Sequence, residues 1–228
     1  MGKLVIDLGH GGKDPGAIGP NKTCEADVVL NIGCEIDKIL KGYDLDYKFT
    51  RFSDKYLSLT ERARFSNRFG ADYFVSIHIN SSKDRSVRGV EVWQYDGDNI
   101  KLNNFSKCVC DDISKTLDIR NRGVKYNKNF TVLSKTTMPA CLIEVDFISN
   151  IDAERDLKDS IKIKKIAAAI TDNLIDLFGL INTSRDTLYK VCIGAYRDKN
   201  NAVNQVKLAK SKGFNDAYII RMNWFSKL

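Results

Sequence analysis

The chain contains only two histidines, and each follows a short apolar run. His10 lies among glycines directly after residues 4–8, and His78 closes residues 71–78. Apolar runs of this length with β-branched residues are typical of buried strands, whose carboxyl ends can meet at one edge of a sheet. Because imidazole is a good zinc ligand, the two histidines predict a metal site. A tight turn carrying a surface histidine is the alternative for His10.

Two glutamates lie where they can join the histidines. Glu25 begins a segment with apolar residues at helical spacing from Val28 to Leu40, which predicts an amphipathic helix. Glu144 closes a third buried-strand pattern, residues 140–144. A metal site needs a third ligand beside the two histidines, and these carboxylates are the candidates; an ordinary strand-end carboxylate in a salt bridge is the alternative for Glu144.

Four segments occur in an order that resembles the zinc-dependent N-acetylmuramoyl-L-alanine amidases of the amidase-3 type. They are Ile-Asp-Leu-Gly-His-Gly-Gly at 6–12, Glu25, Ser-Ile-His-Ile-Asn at 76–80 and Pro-Ala-Cys-Leu-Ile-Glu at 139–144. Further matches are Thr50-Arg51 with Asp54, Leu59–Ala63, Arg88–Val92 and Phe147–Asn150. The resemblance covers about residues 1–179.

The resemblance implies an enzyme that cleaves peptidoglycan between the lactyl group of muramic acid and the first L-alanine of the stem peptide. It implies that His10, Glu25 and His78 hold Zn²⁺ and that Glu144 is the catalytic acid/base. We expect Arg51 or Asn80 to orient the substrate peptide. The alternatives are a zinc peptidase that cuts elsewhere in the stem peptide and a wall-binding protein without catalytic activity.

Two positions depart from the family's pattern. Leu8 stands where proline is common, and Asp146 stands where glycine is common, which adds an acidic group near the expected cleft. The six cysteines form no CxxC pair, so we expect reduced thiols rather than zinc ligands. Cys24, beside Glu25, is the one thiol placed to compete for the metal.

The formal net charge of +7 predicts attraction to polyanions. No nucleic-acid-binding motif accompanies this charge, so anionic wall polymers are the expected partners and nucleic acid is not. No apolar run reaches the length of a membrane span, and the amino terminus does not resemble a signal peptide. We therefore expect synthesis in the cytoplasm and action on the wall after release by lysis or holin-type export.

The predicted elements alternate between strand and helix, which favours an open mixed α/β sheet covered by helices on both faces. The predicted strands are residues 3–8, 45–50, 72–79, 88–95, 130–133 and 140–143. The predicted helices are residues 24–41, 58–69, 102–117 and 163–178, with Gly179 as the stop of the last one.

A second, smaller unit follows the predicted catalytic domain of residues 1–179. Residues 180–186 are typical of a linker, and residues 187–228 resemble one half of a SPOR-type peptidoglycan-binding repeat. That segment is predicted to form strand 188–193, helix 199–212 and strand 217–220.

This tail is near the size below which chains rarely fold alone, and Cys192 is its only cysteine. We therefore expect a homodimer joined through the tails. Packing of the tail against the catalytic domain is the alternative. One catalytic domain with a small binding module favours a phage endolysin or a mother-cell lysin over a vegetative autolysin.

Overall fold

The computed structural model describes residues 1–180, 194–215 and 217–219. The strands are β1 Lys3–Leu8, β2 Asp46–Phe49, β3 Tyr73–Asn80, β4 Val90–Gln94, β5 Asn121–Tyr126 and β6 Ala140–Phe147. The helices are α1 Glu25–Leu40, α2 Leu59–Phe69, α3 Ile100–Leu117, α4 Thr131–Ser134, α5 Ile151–Asp156, α6 Ser160–Phe178 and α7 Lys199–Ser211. None of the helices in the described ranges is long and apolar enough to cross a membrane.

The six strands form one sheet in the order β2-β1-β3-β6-β4-β5. Strands β4 and β6 are antiparallel, and the remaining pairs are parallel. The predicted mixed sheet is therefore confirmed. Because β1, β3 and β6 are parallel neighbours, their carboxyl ends meet at one edge, and His78 pairs directly with Glu144 in the ladder.

Helices cover both faces of the sheet, but unequally. The larger core lies on the face of α1, α3 and α6, where residues such as Ile6, Ile32 and Ile143 are fully buried. Each such side chain contributes roughly 1.5–3 kcal/mol through burial. On the opposite face, α2 and α4 cover a smaller cluster that includes Phe74 and Leu142.

That smaller cluster covers only the amino-terminal half of its face. Toward the carboxyl ends of β1, β3 and β6 the same face carries polar side chains instead of apolar ones. Ser76 and Asp7 meet across β1 and β3, and His78 and Glu144 meet across β3 and β6. The polar half of this face is where the candidate site lies.

Capping residues fix the ends of the helices that frame the sheet. Ser58 caps α2 and forms a capping box with Glu61, and Gly70 ends the helix with φ 67°. Gly179 ends α6 with φ 61°, in the left-handed region that favours glycine. The end predicted for α2 at Phe69 and the stop predicted for α6 at Gly179 are confirmed.

The predicted strand at residues 130–133 is wrong. These residues begin the short helix α4, in which Val132 and Leu133 are both buried. A strand would send these neighbouring side chains to opposite faces, whereas one helical turn directs both into the smaller cluster. The edge strand β5 and the helix α5 were not predicted.

The chain divides into two compact units, Met1–Arg185 and Asp186–Leu228. In the second unit, α7 corresponds to the predicted helix 199–212, and the Asp198 carboxylate caps it. The predicted strand 188–193 lies outside the described residues. Residues 217–219 of the other predicted strand are described and belong to no strand, and Ile220 lies outside the described residues.

Candidate metal centre and active site

The turn that carries His10 has a backbone conformation that side chains rarely adopt. His10 has φ 59°, and Gly11 and Gly12 continue the turn with φ 116° and 60°. Arg62 of α2 holds the turn from below, because it donates from Nη1 to the Leu8 carbonyl (2.6 Å) and from Nη2 to the His10 carbonyl (2.7 Å). These bonds offset the strain of the left-handed residue and fix the direction of the imidazole.

Glu25 lies between the two histidines at the amino terminus of α1. Its Oε1 lies 2.9 Å from His78 Nδ1, and its Oε2 lies 3.2 Å from His10 Nε2. Backbone N–H groups of Ile79 and Ala17 donate to the two oxygens, each at 2.9 Å. Burial opposes ionisation, but the hydrogen bonds with the two histidines lower the pKa of Glu25 well below its ordinary value.

Two glycines leave the space that these ligands need. A Cβ on Gly9 would lie 2.3 Å from the His78 ring, and one on Gly16 would lie 2.6 Å from Glu25 Oε2. No side chain fits at either position. The glycines are therefore required by close approach, and Gly16 also has φ 68°.

The three predicted ligands form a cluster that fits a metal ion. One ligand atom from each of His10, Glu25 and His78 lies within 4.8 Å of the others, which is the only such metal-sized cluster found among the described residues. Two imidazoles and one carboxylate are a donor set suited to zinc with an open fourth position. Cys24, which precedes Glu25, is not part of the cluster.

Asp14 orients His10 from the side away from Glu25. Its Oδ2 lies 2.9 Å from His10 Nδ1, so Nε2 is the nitrogen that faces Glu25. Burial lowers the pKa of His10, but the hydrogen bonds and charges of Glu25 and Asp14 outweigh it and raise that pKa. A carboxylate on the second ring nitrogen is the arrangement that metal-binding histidines commonly have.

Glu144 lies beside this cluster, paired with His78 in the β3–β6 ladder. Its Oε2 is buried and has no hydrogen-bond partner among the described residues. Burial, followed by the charges of Glu25 and Glu91, raises the pKa of Glu144 well above its ordinary value. A carboxyl group with a raised pKa and an unpartnered oxygen can accept and return a proton.

Glu91 lies opposite Glu144 in the β4–β6 ladder. Its Oε1 accepts from Asn80 Nδ2 (3.1 Å) and Trp93 Nε1 (3.0 Å). Its Oε2 accepts from Arg122 Nε (2.7 Å) and Lys125 Nζ (2.6 Å). Burial raises the pKa of Glu91, but these partners outweigh it and lower that pKa, so a charged carboxylate faces Glu144.

The structure places the two expected substrate-contact residues in protein contacts. Arg51 is buried, and its guanidinium donates to the carbonyls of Leu8, Gly9, Ala26 and Ser53. Its position beneath the His10 turn differs from that expected of a residue facing the substrate. Asn80 lies on the face of the sheet that carries His78 and Glu144, called the site face below. Its Nδ2 donates to Glu91 Oε1, and its Oδ1 accepts from the Ser81 N–H.

Asp146, expected to add charge near the cleft, is fully buried. Arg88 donates to its Oδ2 from Nε (3.0 Å) and Nη2 (2.7 Å). The N–H groups of Gly89 and Phe147 donate to its Oδ1. Its charge is thus taken up by Arg88 and the backbone rather than facing the metal ligands.

Sequence reasoning missed the residues that hold the site together. Glu154 of α5 accepts from the Asn21 and Thr23 backbone N–H groups and so fixes the loop before Glu25. Asp7 and Glu91 were seen only inside the matching motifs, without a role, and Asp14 was not singled out. The signal available for Asp7 was an acidic residue inside a buried apolar strand, which demands a partner.

Comparisons with known proteins point to one enzyme family. The amidase-3 family model, described as N-acetylmuramoyl-L-alanine amidase, matches residues 4–176. The chain is 35% identical over 223 residues to the sporulation-specific N-acetylmuramoyl-L-alanine amidase of Bacillus subtilis, covering 97% of this chain and 86% of the relative. It is 36% identical over 191 residues to the endolysin of Bacillus phage SPP1, covering 79% of this chain and 68% of the endolysin.

A solved structure shares the fold. The catalytic domain of CwlV, the N-acetylmuramoyl-L-alanine amidase of Bacillus (Paenibacillus) polymyxa var. colistinus, superposes with a TM-score of 0.73 and 32% sequence identity. The match covers 78% of this chain and 99% of that domain. With a family model that matches most of its length, the chain belongs to the amidase-3 family of N-acetylmuramoyl-L-alanine amidases.

Proposed function

We propose that this chain is a zinc-dependent peptidoglycan amidase, with His10, Glu25 and His78 as the metal ligands and Glu144 as the catalytic acid/base. The bond cleaved is the amide between the muramic acid lactyl group and L-alanine. The observation that carries the proposal is the convergence of these three ligands beside a carboxyl group whose Oε2 has no partner among the described residues.

The chain's own residues supply binding, orientation and proton transfer. Bound zinc supplies Lewis acidity, which lowers the pKa of water and polarises a carbonyl group. Glu144 Oε2 accepts the proton of the attacking water and returns it to the nitrogen of the leaving alanine. Arg62 and Arg51 hold the His10 turn, and the Ile79 and Ala17 N–H groups hold Glu25, so the ligand set is preorganised.

Purified peptidoglycan tests this function directly. Turbidity loss measures lysis, and labelling of newly freed N-termini identifies the bond, because only an amidase frees the N-terminus of L-alanine. Chelation is expected to abolish lysis, and Zn²⁺ is expected to restore it. Free N-termini on other stem residues would identify a zinc peptidase, and unchanged walls would identify a binding protein.

The same proposal extends to the second unit and to the biological setting. We propose that residues 187–228 bind the wall as a SPOR-like module, that anionic wall polymers assist, and that two chains pair through these modules. A sporulation-specific relative matched over 97% of this chain, and a phage endolysin relative, support a role as a mother-cell lysin or endolysin. Such an enzyme acts on the wall after release from the cytoplasm, and neighbouring genes, above all a holin, would separate the two roles.

A further inference from the structure

The polar residues of the site face form a row across the strands. His78 is on β3, Glu144 on β6, Glu91 on β4, and Arg122 and Lys125 on β5, in the order of the sheet. Neighbouring strands are about 4.8 Å apart, so β5 lies roughly 10 Å from β6. The row thus runs from the metal ligands through the catalytic carboxyl group to a pair of cations.

Both cations are held in place by contacts with a buried carboxylate and with aromatic rings. Arg122 and Lys125 both donate to Glu91 Oε2, and Glu91 is itself almost fully buried. The Arg122 guanidinium lies 5.0 Å from the Phe147 ring centroid, and Lys125 Nζ lies 5.1 Å from that of Trp93. These contacts hold both cations on the site face.

Gly89 makes room for Arg122. A Cβ on Gly89 would lie 2.8 Å from both Cγ and Cδ of Arg122, and Gly89 has φ 131°. The positive φ and the Arg120 carbonyl oxygen, 2.5 Å from such a Cβ, require a glycine here, and the space left by the missing side chain accommodates Arg122. This close approach brings the guanidinium back from β5 to the position of Glu91, one strand from Glu144.

Each cation has N–H donors that are available to a ligand. Arg122 donates from Nε to Glu91, and its Nη1 and Nη2 make no hydrogen bond among the described residues. Lys125 uses one of its three N–H donors on the same oxygen. Glu91 carries one negative charge against two positive ones, so the cluster is left with one net positive charge. Their side chains are 26% and 32% exposed, which leaves this charge within reach of a bound molecule.

We propose that Arg122 and Lys125 form a carboxylate subsite, which binds the α-carboxylate of the second stem residue, a γ-linked D-glutamate. This rests on the proposed amidase function, because Glu144 then marks the position of the leaving alanine nitrogen. That carboxylate lies about 7 Å from this nitrogen in an extended peptide, at roughly 3.5 Å per residue. The distance matches the one to two strand spacings between Glu144 and the guanidinium.

A substrate pair that differs in one group tests the subsite. Soluble glycan strands with uncrosslinked tripeptide stems are prepared with the second residue as D-glutamate or as D-isoglutamine, whose α-carboxyl is amidated. The zinc-loaded full chain is expected to show a KM about tenfold lower for the free carboxylate, as for loss of one charge-assisted hydrogen-bond pair. Amidation removes the charge while the size of the stem is kept.

Two variants locate the preference. Arg122→Gln and Lys125→Met are each expected to bring the KM for D-glutamate strands close to that for D-isoglutamine strands. Lys128→Met removes a neighbouring cation that packs on Tyr95, and it is expected to keep the wild-type ratio. Thermal melting checks that each variant is folded, and if Arg122→Gln is not, Lys125→Met decides.

The outcomes separate the subsite from the amidase function. Equal KM values for the two strands in the wild-type protein, or a tenfold ratio that persists in both variants, overturn the subsite. An equal loss of kcat on both strands would show that the cations only support Glu91, and it overturns the subsite as well. Failure of the wild-type protein to cleave either strand overturns the amidase function instead.

Discussion

Glu144 shows how the neighbours of a residue set its chemistry. Its pKa is raised by burial and by the charges of Glu25 and Glu91, and its free oxygen has no partner among the described residues. Glu144→Gln preserves the shape and removes the proton acceptor. We expect the lysis rate to fall by about 10²–10⁴-fold, with zinc content unchanged by metal analysis.

The control for Glu144→Gln is Glu35→Gln, which removes a carboxylate that pairs with Lys38 on the exposed side of α1. This variant is expected to lyse walls at the wild-type rate. A Glu144→Gln protein that retains near-normal turnover would show that Glu144 is structural.

Asp14 is expected to affect metal binding through its contact with His10. Because its carboxylate bonds Nδ1, Asp14→Asn weakens the hold on the ring and lowers the basicity of the nitrogen that faces Glu25. We expect zinc affinity to fall by about 10–100-fold, measured by competition with a chromophoric chelator. Asp84→Asn, in an exposed loop, is the control, and equal affinities in both variants would contradict the role of Asp14.

The proposed metal ligands and the proposed catalytic residue were predictable from the sequence, whereas the residues that position them were not. His10, His78 and Glu144 can be recognised because each is a titratable residue at the end of an apolar run. Arg62 does not, because its importance comes from reaching carbonyls 54 and 52 residues away. Such contacts depend on how α2 lies against the sheet, which no local pattern specifies.

Among the elements, the long apolar ones were predicted well and the marginal ones were not. α1 and α6 show clear helical spacing because one face of each is buried against the sheet. β5 lies at the sheet edge with no fully buried residue, so its sequence lacks the alternation of a half-buried strand. In α4, β-branched residues favoured a strand locally, and tertiary packing overrode that preference.

Asp7 ties three elements together beneath the site. Its carboxylate accepts from Thr50 Oγ1 (2.6 Å), Ser76 Oγ (2.7 Å) and Arg62 Nη1 (2.9 Å), so β1, β3, α2 and the loop after β2 meet at one buried charge. Burial raises the pKa of Asp7, but Arg62 and the hydroxyl groups outweigh it and lower that pKa. The pair therefore contributes stability only while Asp7 is ionised.

The sign of the pH dependence follows from that lowered pKa. The contribution is fully present above the unfolded pKa of about 3.9, and it is lost as pH falls through the lower folded value. Urea unfolding between pH 6 and pH 3 is expected to show this loss in the wild-type protein. Asp7→Asn is expected to lower the free energy of unfolding by about 3–5 kcal/mol at pH 6. It is also expected to flatten the acid limb, which is the fall in that free energy between pH 6 and pH 3.

The control for Asp7→Asn is Asp44→Asn, which changes an exposed aspartate before β2. It should keep both the wild-type stability at pH 6 and the wild-type acid limb. If Asp7→Asn showed an acid limb as steep as the wild-type one, the buried pair would not be its source.

At the scale of the whole molecule, the site is assembled from distant parts of the first unit. The proposed metal ligands, the proposed catalytic carboxyl group and the proposed subsite come from residues between His10 and Glu144, and the sheet order brings the strand residues among them into one row. Glu154 of α5 fixes the loop before Glu25, because its carboxylate accepts from the backbone N–H groups of Asn21 and Thr23. All of these residues belong to the first unit, Met1–Arg185.

The second unit exposes large apolar side chains for its size. Leu208 is 52% exposed, Phe214 68% and Tyr218 64%. Exposed apolar side chains of this size are available to an interface, and pairing with a second copy is the commonest closed form of association. We therefore expect the full chain to be a dimer and residues 1–180 to be a monomer, as measured by light scattering after size-exclusion chromatography.

A surface variant tests whether this pairing uses the described face of α7. Leu208→Glu places a charge at an exposed position, so it costs the isolated unit little but would leave a charge unpaired in a dimer interface. We expect Leu208→Glu to shift the full chain to monomer and Lys210→Glu, at another exposed position of α7, to leave it dimeric. Monomeric wild-type protein at working concentration would reject the dimer, and walls that bind the full chain no better than residues 1–180 would reject a binding role for the tail.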